Sequence, residues 1–467
     1  MSYKSFQQCL LMTYSVALAT FSFAYNSYLI NGPLDHIRIW IDIDTSFKEG
    51  AMMTSFNFGG LVGCIIGILI VKSTSRRLML YIIDTLLIIG TAGLNIQNYY
   101  TFILFRVIAG IGSGLTTLVT PMFLKEIIPT QIYGVLGGQN LVLLSLGTIV
   151  QSFCALGFKE VKGQTSVDMS YWRFYLLPPI IICIIRSLLL KFYFPYESPI
   201  FSIQKGNVQG AERFLVHIYQ DDDVQQIKQD IENLVNKRNV EKTLPGLRVF
   251  LGIMINIFYS NSGITPIISY STKIFQQVTT MTVAQILTIG MSIIKFIFYS
   301  TGAQLTQKFG RRKPLIIGTG ILCVVLISTG ISSAINDNSD YNDTKLKSVV
   351  VVYIVIAIYL YFGVFFNTFG AIIPLYTPEI LSGIYLTVAL IFQWSFNITI
   401  TFLFPVIRDS FGMCYTFYYF GITMGVATIY FAIFVKETKN LNDKEIDALW
   451  QYSTAKVRSL EKENLIQ

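Results

Sequence analysis

Pairs of arginines and single glutamates lie next to apolar stretches of this chain, where they could form ion pairs that open and close. Arg76 and Arg77 follow one apolar stretch, and Glu126 ends another directly after Lys125. Such pairs contribute little at an open surface and more where helix packing excludes water. The spacing therefore predicts a charge clasp at one face of a set of packed helices, rather than a catalytic site.

The same arrangement recurs in the second half of the sequence, in the same order. Three corresponding pairs of motifs mark the repeat: Ser75-Arg76-Arg77 and Gly310-Arg311-Arg312, Glu126 and Glu379, and the segments around Glu197 and Glu437. A parallel repeat of this kind is typical of two helical bundles that rock around a site at the middle of a membrane.

Composition and hydropathy place the chain in a membrane. Hydrophobic residues make up 53% of its 467 residues and charged residues 13%, and mean hydropathy is +0.56, whereas a soluble domain carries about a quarter charged residues. Apolar runs of about 18 residues or more, long enough to cross a bilayer, recur near residues 8–31, 50–71, 79–96, 101–121, 132–155, 172–195, 247–270, 282–306, 313–333, 348–375, 384–407 and 412–435. We predict an all-α membrane protein with twelve transmembrane helices in two pseudo-symmetric six-helix bundles.

The formal net charge of +8 comes with basic residues that cluster in loops. Basic clusters follow the second and eighth runs, whereas the loop between the third and fourth runs, Asn95 to Tyr100, carries no basic residue. Under the positive-inside rule this puts both termini and the central loop in the cytoplasm. We expect a multi-pass protein of the plasma membrane whose partners are the lipid bilayer and a small molecule, with no nucleic acid; the oligomeric state stays open.

A charged segment interrupts the membrane pattern. Residues 196–246 place Ile227, Ile231 and Leu234 at helical spacing and predict short amphipathic linker helices in the cytoplasm. The predicted domains are therefore an N-terminal bundle over 1–195, the linker over 196–246, a C-terminal bundle over 247–435 and a cytoplasmic tail over 436–467. No catalytic triad, metal cluster or phosphate loop is recognisable, so neither an enzyme nor a cofactor is predicted.

Six motifs in the right order give the chain a resemblance to a known family. They are Phe23-Ala24-Tyr25-Asn26 with Ile30-Asn31-Gly32-Pro33, the glycine-rich stretch Arg106 to Gly137, Pro195 to Pro199, Ser262-Gly263-Ile264 with Tyr270-Ser271-Thr272, Gly310-Arg311-Arg312, and Glu437-Thr438-Lys439. With these the chain resembles the sugar porters of the major facilitator superfamily, particularly the facilitative glucose transporters. The resemblance implies uniport of a hexose such as glucose by alternating access.

The resemblance also gives the charge clasp a role as a cytoplasmic gate. It implies that Arg76 and Arg77 meet Glu126 and that Arg311 and Arg312 meet Glu379, with Glu197 and Glu437 as further acceptors. Three departures weaken this gate: Tyr133 replaces an arginine, the segment after Glu379 lacks a Pro-Arg pair, and Gln307 replaces an acid. We therefore expect easier opening to the inside; in the alternative interpretation the arginines only set topology.

The amides that line the sugar site of the family are largely replaced here. The implied substrate-binding residues are Ser145, Thr148, Asn256, Tyr259, Ser260, Thr265, Lys295, Phe365, Gln393 and Trp394. Gln393 is the best remaining amide for a sugar hydroxyl, and aromatic rings such as Phe365 and Trp394 could stack on a pyranose.

Lys295 stands where the family has an asparagine. A lysine at mid-span costs roughly 2.5–3.5 kcal/mol on insertion scales, so it should face a wet cavity or a partner. It could attract an anionic ligand or hold a carboxylate such as Asp84, or it could extend to the membrane surface.

Asn26 stands where proton-coupled porters carry an aspartate, and an amide cannot titrate, which favours uniport. Two alternatives stay open: a divergent porter of an organic anion or sugar derivative, and a non-transporting sugar sensor.

Overall fold

The computed structural model describes residues 4–71, 73–129, 132–133, 136–161, 163–237, 244–337, 344–381, 384–439, 441 and 445–450. Part of the predicted linker, residues 238–243, and the end of the predicted tail, residues 451–467, lie outside the described residues.

In the part of the chain that the structure describes, twelve helical spans occupy the twelve predicted positions, which confirms the all-α fold. In chain order they are Phe6–Tyr28, Ser46–Val71, Arg76–Gly93, Tyr99–Ile127, Gln139–Ala155, Ser170–Leu188 continued by a π-helix Leu189–Tyr193, Gly246–Ser260 continued by Ile264–Ser269, Met281–Phe309, Arg312–Asp337, Thr344–Asn367 continued by Phe369–Ile380, Ile384–Phe411 and Met413–Phe434. Within the described ranges, ten of them are long and apolar enough to cross a membrane. The third span carries Arg76, Arg77 and Asp84, and the fifth has 17 residues.

Shorter helices lie between the spans. Leu34–Trp40 follows span one, and Ser271–Gln276 continues the chain after span seven. Three helices form the described part of the linker: Pro199–Gln204, Val208–Ile218 and Asp221–Lys237. Lys228 and Glu212 join the last two with an ion pair of 2.5 Å.

The chain forms two compact units. The first comprises the described residues within 4–237, 265–296 and 401–406, and the second comprises those within 244–264, 297–400 and 407–450. The division predicted from the repeat, at residues 195 and 246, stays a prediction.

Glycines bring spans two and four of the first unit into backbone contact. A Cβ added at Gly110 would overlap the carbonyl oxygen of Phe56, and one added at Gly114 would overlap the carbonyl oxygen of Gly60. Close approach through small residues is how helices pack in lipid. The glycines of the stretch that begins at Arg106 therefore let the backbones of these two spans approach closely.

A sharp break at Gly263 divides span seven into two helices. Gly263 has a φ of +87°, which L side chains rarely adopt. The break frees the carbonyl of Ser262, which accepts a hydrogen bond from the Tyr361 hydroxyl at 3.0 Å. Irregular backbone inside a membrane needs such protein partners, because lipid offers none.

Candidate functional site

The first half of the predicted clasp closes over Glu126. Arg76 Nε lies 3.5 Å from a carboxylate oxygen of Glu126, and both side chains are buried. The Ser198 hydroxyl donates to the same carboxylate at 2.5 Å, and the guanidinium of Arg76 lies 4.9 Å from the ring centroid of Phe201. The start of the linker therefore encloses this ion pair, where water screens it least.

Arg77 and Glu197 contact the main chain next to this pair. Arg77 donates to the carbonyl of Leu190 at 2.9 Å and to that of Pro195 at 3.0 Å. Glu197 accepts from the Ser75 hydroxyl and from the N–H of Arg77. These contacts join the end of span six to the start of span three.

The second unit repeats this arrangement. Arg311 lies 2.7 Å from Glu379, and the Thr438 hydroxyl donates to Glu379 at 2.6 Å. Arg312 donates to the carbonyl of Ala432 at 2.8 Å. The structure thus brings together one arginine and one glutamate in each unit, and each glutamate also accepts from a hydroxyl of the segment that follows the last span of its half.

Glu437 accepts hydrogen bonds from successive backbone amides. The N–H groups of Arg311, Arg312, Thr438 and Lys439 all donate to its carboxylate, at 2.9 to 3.2 Å. Burial alone would raise the pKa of Glu437, but these amides outweigh it and hold the pKa below its usual value.

The hydroxyls of Ser198 and Thr438 were not among the predicted residues. A signal for them exists in the sequence, because a hydroxyl residue directly follows both Glu197 and Glu437. The pairing of these hydroxyls with Glu126 and Glu379 depends on the fold. The role of the clasp as a gate stays a prediction.

The candidate substrate residues of the first unit lie on spans five and eight and on the second part of span seven. Ser145 and Thr148 are buried and donate to carbonyls of their own helix, at 2.9 and 2.7 Å. One turn further, the hydroxyls of Ser152 and Ser292 lie 2.9 Å apart and join the two spans. Thr265, in the same unit, is half-buried.

Lys295 is buried in the first unit. Its side-chain nitrogen lies 5.0 Å from the ring centroid of Tyr28, and the residue is 3% exposed. Asp84, which sequence reasoning offered as a partner for it, forms an ion pair with Arg186 at 2.6 Å. The expectation that Lys295 holds Asp84 is therefore wrong. The sequence alone does not indicate which cation Asp84 faces.

Candidate residues of the second unit meet around span seven. The Ser260 hydroxyl donates to the backbone carbonyl of Gln393 at 2.8 Å. Asn256 donates to its own helix at 2.8 Å and lies 3.3 Å from the Thr377 hydroxyl. The side chains of Gln393 and Trp394 are half-buried.

Aromatic rings form a cluster behind these polar groups. Tyr259 lies against Phe365 and Phe369, with 5.6 Å between ring centroids in both cases. Phe365 is fully buried and also packs on Tyr361. In this conformation Phe365 supports the ring of Tyr259 and presents no face of its own.

A buried arginine next to span one is a polar feature to which the sequence analysis assigned no role. Arg106 is 1% exposed and donates to the backbone carbonyl of Asn26 at 2.7 Å. The amide of Asn26 accepts from Thr91 at 2.9 Å and donates to the carbonyl of Ser22 at 3.0 Å. The guanidinium also lies 4.6 Å from the ring centroid of Phe56.

A set of polar contacts closes the other end of the first unit, which we call the rim contacts. They are Asp35 with Lys273 at 2.6 Å, Asn31 with the Ser271 hydroxyl at 2.8 Å and the Thr272 N–H at 3.1 Å, and Gln285 with the carbonyls of Ala155 and Phe158 at 2.9 Å each. A cavity of about 700 Å³ opens beside them, lined by Asp35, Arg38, Glu160 and Lys273 among others.

Comparison with known proteins gives these features a context. The family model described as "Sugar (and other) transporter" matches residues 12–450. The chain is 24% identical to Hexose transporter 1 of Plasmodium falciparum (isolate 3D7), over 91% of this chain and 89% of that protein. It is 24% identical to the D-xylose-proton symporter of Escherichia coli (strain K12), over 96% of both.

Solved structures share the fold. A structure of the xylose transporter XylE from E. coli in a partially occluded inward-open conformation matches with a TM-score of 0.79. The match has 20% sequence identity and covers 93% of this chain and 100% of that one.

Proposed function

This chain belongs to the sugar transporter family of the major facilitator superfamily, and on that premise we propose that it carries a hexose such as glucose by facilitative uniport. The substrate class is supported by the hexose transporter among its relatives. Neutral, hydroxyl-rich ligands are bound by amides, hydroxyls and aromatic faces. Asn256, Ser260 and Gln393 supply such groups around span seven.

The uniport part of the proposal rests mainly on Asn26. One relative is a proton symporter, and proton coupling needs a group that gains and loses a proton during the cycle. In this chain Arg106 bonds to the backbone carbonyl of Asn26, and the side chain of Asn26 is an amide held by Thr91 and Ser22. An amide does not titrate, so the transport step at this position needs no proton.

In the proposed cycle the clasp end faces the cytoplasm of a plasma-membrane protein. The rim contacts then close the outer end, and the Arg76–Glu126 and Arg311–Glu379 pairs stabilise the inner ends of the bundles. Because one end opens while the other is closed, one polar site is exposed to each side of the membrane in turn.

Reconstituted vesicles test this function directly. We expect uptake of labelled D-glucose that saturates, needs no pH gradient and stops at equal concentrations on both sides. Asn26→Asp is the informative variant, because it puts a titrating carboxyl in place of the amide that bonds to Thr91 and Ser22; we expect uptake by this variant to depend on pH. Accumulation of sugar above equilibrium by the unaltered protein, driven by a proton gradient, would refute uniport.

Lys295 supports a second candidate, the transport of an anionic sugar derivative or another organic anion. A charge buried in a membrane span marks a functional position. Lys295→Met should leave uptake of neutral hexoses intact and abolish uptake of acidic sugars if the second candidate is right. No uptake of either class by well-folded protein, together with retained binding, would favour a non-transporting sensor.

A further inference from the structure

The short helix Leu34–Trp40 carries a buried histidine next to the rim contacts. His36 is 5% exposed, and its ring meets that of Phe158 edge-on with 5.1 Å between centroids. Its Nδ1 atom is buried and has no hydrogen-bond partner among the described residues. An imidazole in this setting fits as the neutral form, because a second proton would place an uncompensated charge against an aromatic ring.

The ring that covers His36 is itself fixed by a rim contact. The carbonyl of Phe158 accepts a hydrogen bond from Gln285 of span eight at 2.9 Å. The residue before His36, Asp35, holds Lys273 at 2.6 Å. Movement of the histidine would therefore disturb two of the rim contacts at once.

The charges around His36 do little to stabilise an imidazolium. The charged groups on the surrounding elements are Asp35 and Arg38 on the same helix, Asp42 just after it, Glu49 on span two, Lys159 and Glu160 after span five, and Lys273. Glu49 is paired with Arg38 at 3.1 Å, and Asp35 with Lys273. Burial lowers the pKa of His36, and the opposing effect of Asp35 is smaller.

We propose that His36 is an acid-sensitive switch, in which its protonation drives the helix Leu34–Trp40 away from Phe158 and loosens the rim contacts. Acid on this side then favours the conformation that is open at this end. The switch changes the conformational equilibrium and moves no proton across the membrane. Only the interpretation of the two ends as transport gates rests on the proposed function.

The direction of the effect follows from linkage. With the rim closed, the pKa of His36 lies below the ordinary value of 6.5, so the closed form binds fewer protons than a form in which the ring meets water. The stabilisation that neutral His36 gives the closed form is fully present above pH 6.5 and is lost as the pH falls below 6.5. Between pH 7.5 and pH 5.5 the equilibrium should shift toward the open form by up to about tenfold.

A cysteine reporter beneath the rim contacts measures this shift without any sugar. Thr288 is 6% exposed, and its hydroxyl lies 3.2 Å from that of Thr272. Thr288→Cys in the reconstituted full chain would be labelled with a membrane-impermeant maleimide at each pH, with the same protein lacking the reporter as background. Each labelling rate is divided by the rate for a protein that carries both Thr288→Cys and His36→Gln. This removes the pH dependence of the thiol itself.

We expect the normalised labelling rate to rise by up to about tenfold from pH 7.5 to pH 5.5. The chain has two histidines, so His217→Gln is the matched control and should show the same rise as the unaltered protein. If His36→Gln does not fold, His36→Phe serves, since it keeps a ring against Phe158 without a titrating group.

Identical profiles with and without His36, or a rise that His217→Gln removes, would overturn the switch. Because labelling needs no substrate, this outcome is independent of whether hexose uptake is found. A rise in labelling without any hexose uptake would sustain the switch and refute only the proposed function.

Discussion

The carboxylate of Asp84 and the guanidinium of Arg186 form an enclosed ion pair between spans three and six, with 2.6 Å between the closest atoms. Both side chains are almost completely buried, and the Ser187 hydroxyl donates to the second carboxylate oxygen at 2.7 Å. Removing one partner from such a pair leaves a buried charge without its counter-charge, which is far more costly than the pair itself is worth.

Asp84→Asn should therefore destabilise the protein by about 3–5 kcal/mol. The measurement is the thermal unfolding midpoint of purified protein in detergent. Glu212→Gln is the control, because it breaks the more exposed pair with Lys228 and should cost less than about 1 kcal/mol. Equal effects of the two substitutions would contradict the enclosed pair.

The contact of Gly110 with the carbonyl of Phe56 leads to a second prediction. A Cβ at Gly110 would overlap this oxygen, so Gly110→Ala must separate spans two and four and should cost about 1–3 kcal/mol. At Gly320 the nearest atom to an added Cβ is Thr428 Cγ2 at 3.7 Å. Gly320→Ala should therefore be neutral, or stabilising by up to about 1 kcal/mol through its better helix propensity. Unfolding midpoints of the two variants should differ in sign or clearly in size.

The backbone amides around Glu437 predict a pH dependence at the clasp end of the second unit. The pKa of Glu437 is lower in the folded protein than its usual 4.5, so its contribution is fully present above that value and is lost as pH falls through the folded pKa. Glu437→Gln should lower stability at neutral pH and flatten the stability profile below about pH 5. An unchanged acid profile in this variant would show that the amides do not stabilise the carboxylate.

Trp450 anchors the end of the described chain. It is 2% exposed, with Arg248 Cζ at 5.2 Å and Lys436 Nζ at 5.5 Å from the ring centroid. Trp450→Ala should release this segment, because the loss of a buried tryptophan costs about 3–5 kcal/mol of local packing. In limited proteolysis, the Trp450→Ala variant should then be cleaved near residue 445 at least tenfold faster than the unaltered protein. The Trp450→Phe variant should be cleaved at nearly the unaltered rate. Resistance of Trp450→Ala to the protease would contradict the docking.

The position of the spans could be predicted from the sequence because lipid requires long apolar helices. The break inside the tenth span could not be predicted from the sequence. The tenth run was predicted over 348–375, whereas the helix breaks at Thr368 and continues as Phe369–Ile380. Hydropathy is the same on both sides of such a break, so it carries no signal for it.

Pairs of residues far apart in sequence mark the limit of sequence reasoning about the site. Arg76 with Glu126 and Arg311 with Glu379 were predicted from the repeat and the family pattern, and the structure brings these residues together. Asp84 was one of the possible partners predicted for Lys295, but it pairs with Arg186, because charge alone does not distinguish the two cations.

The break at Gly263 has a consequence for how the chain can be divided. The compact unit that begins at the N-terminus also includes residues 265–296 and 401–406, which follow the break and belong to the second half of the sequence. A polypeptide that ended in the linker would lack these segments of its own compact unit. We therefore expect the separately expressed halves to be insoluble in detergent when alone and to recover a folded, ligand-competent particle only when they are produced together.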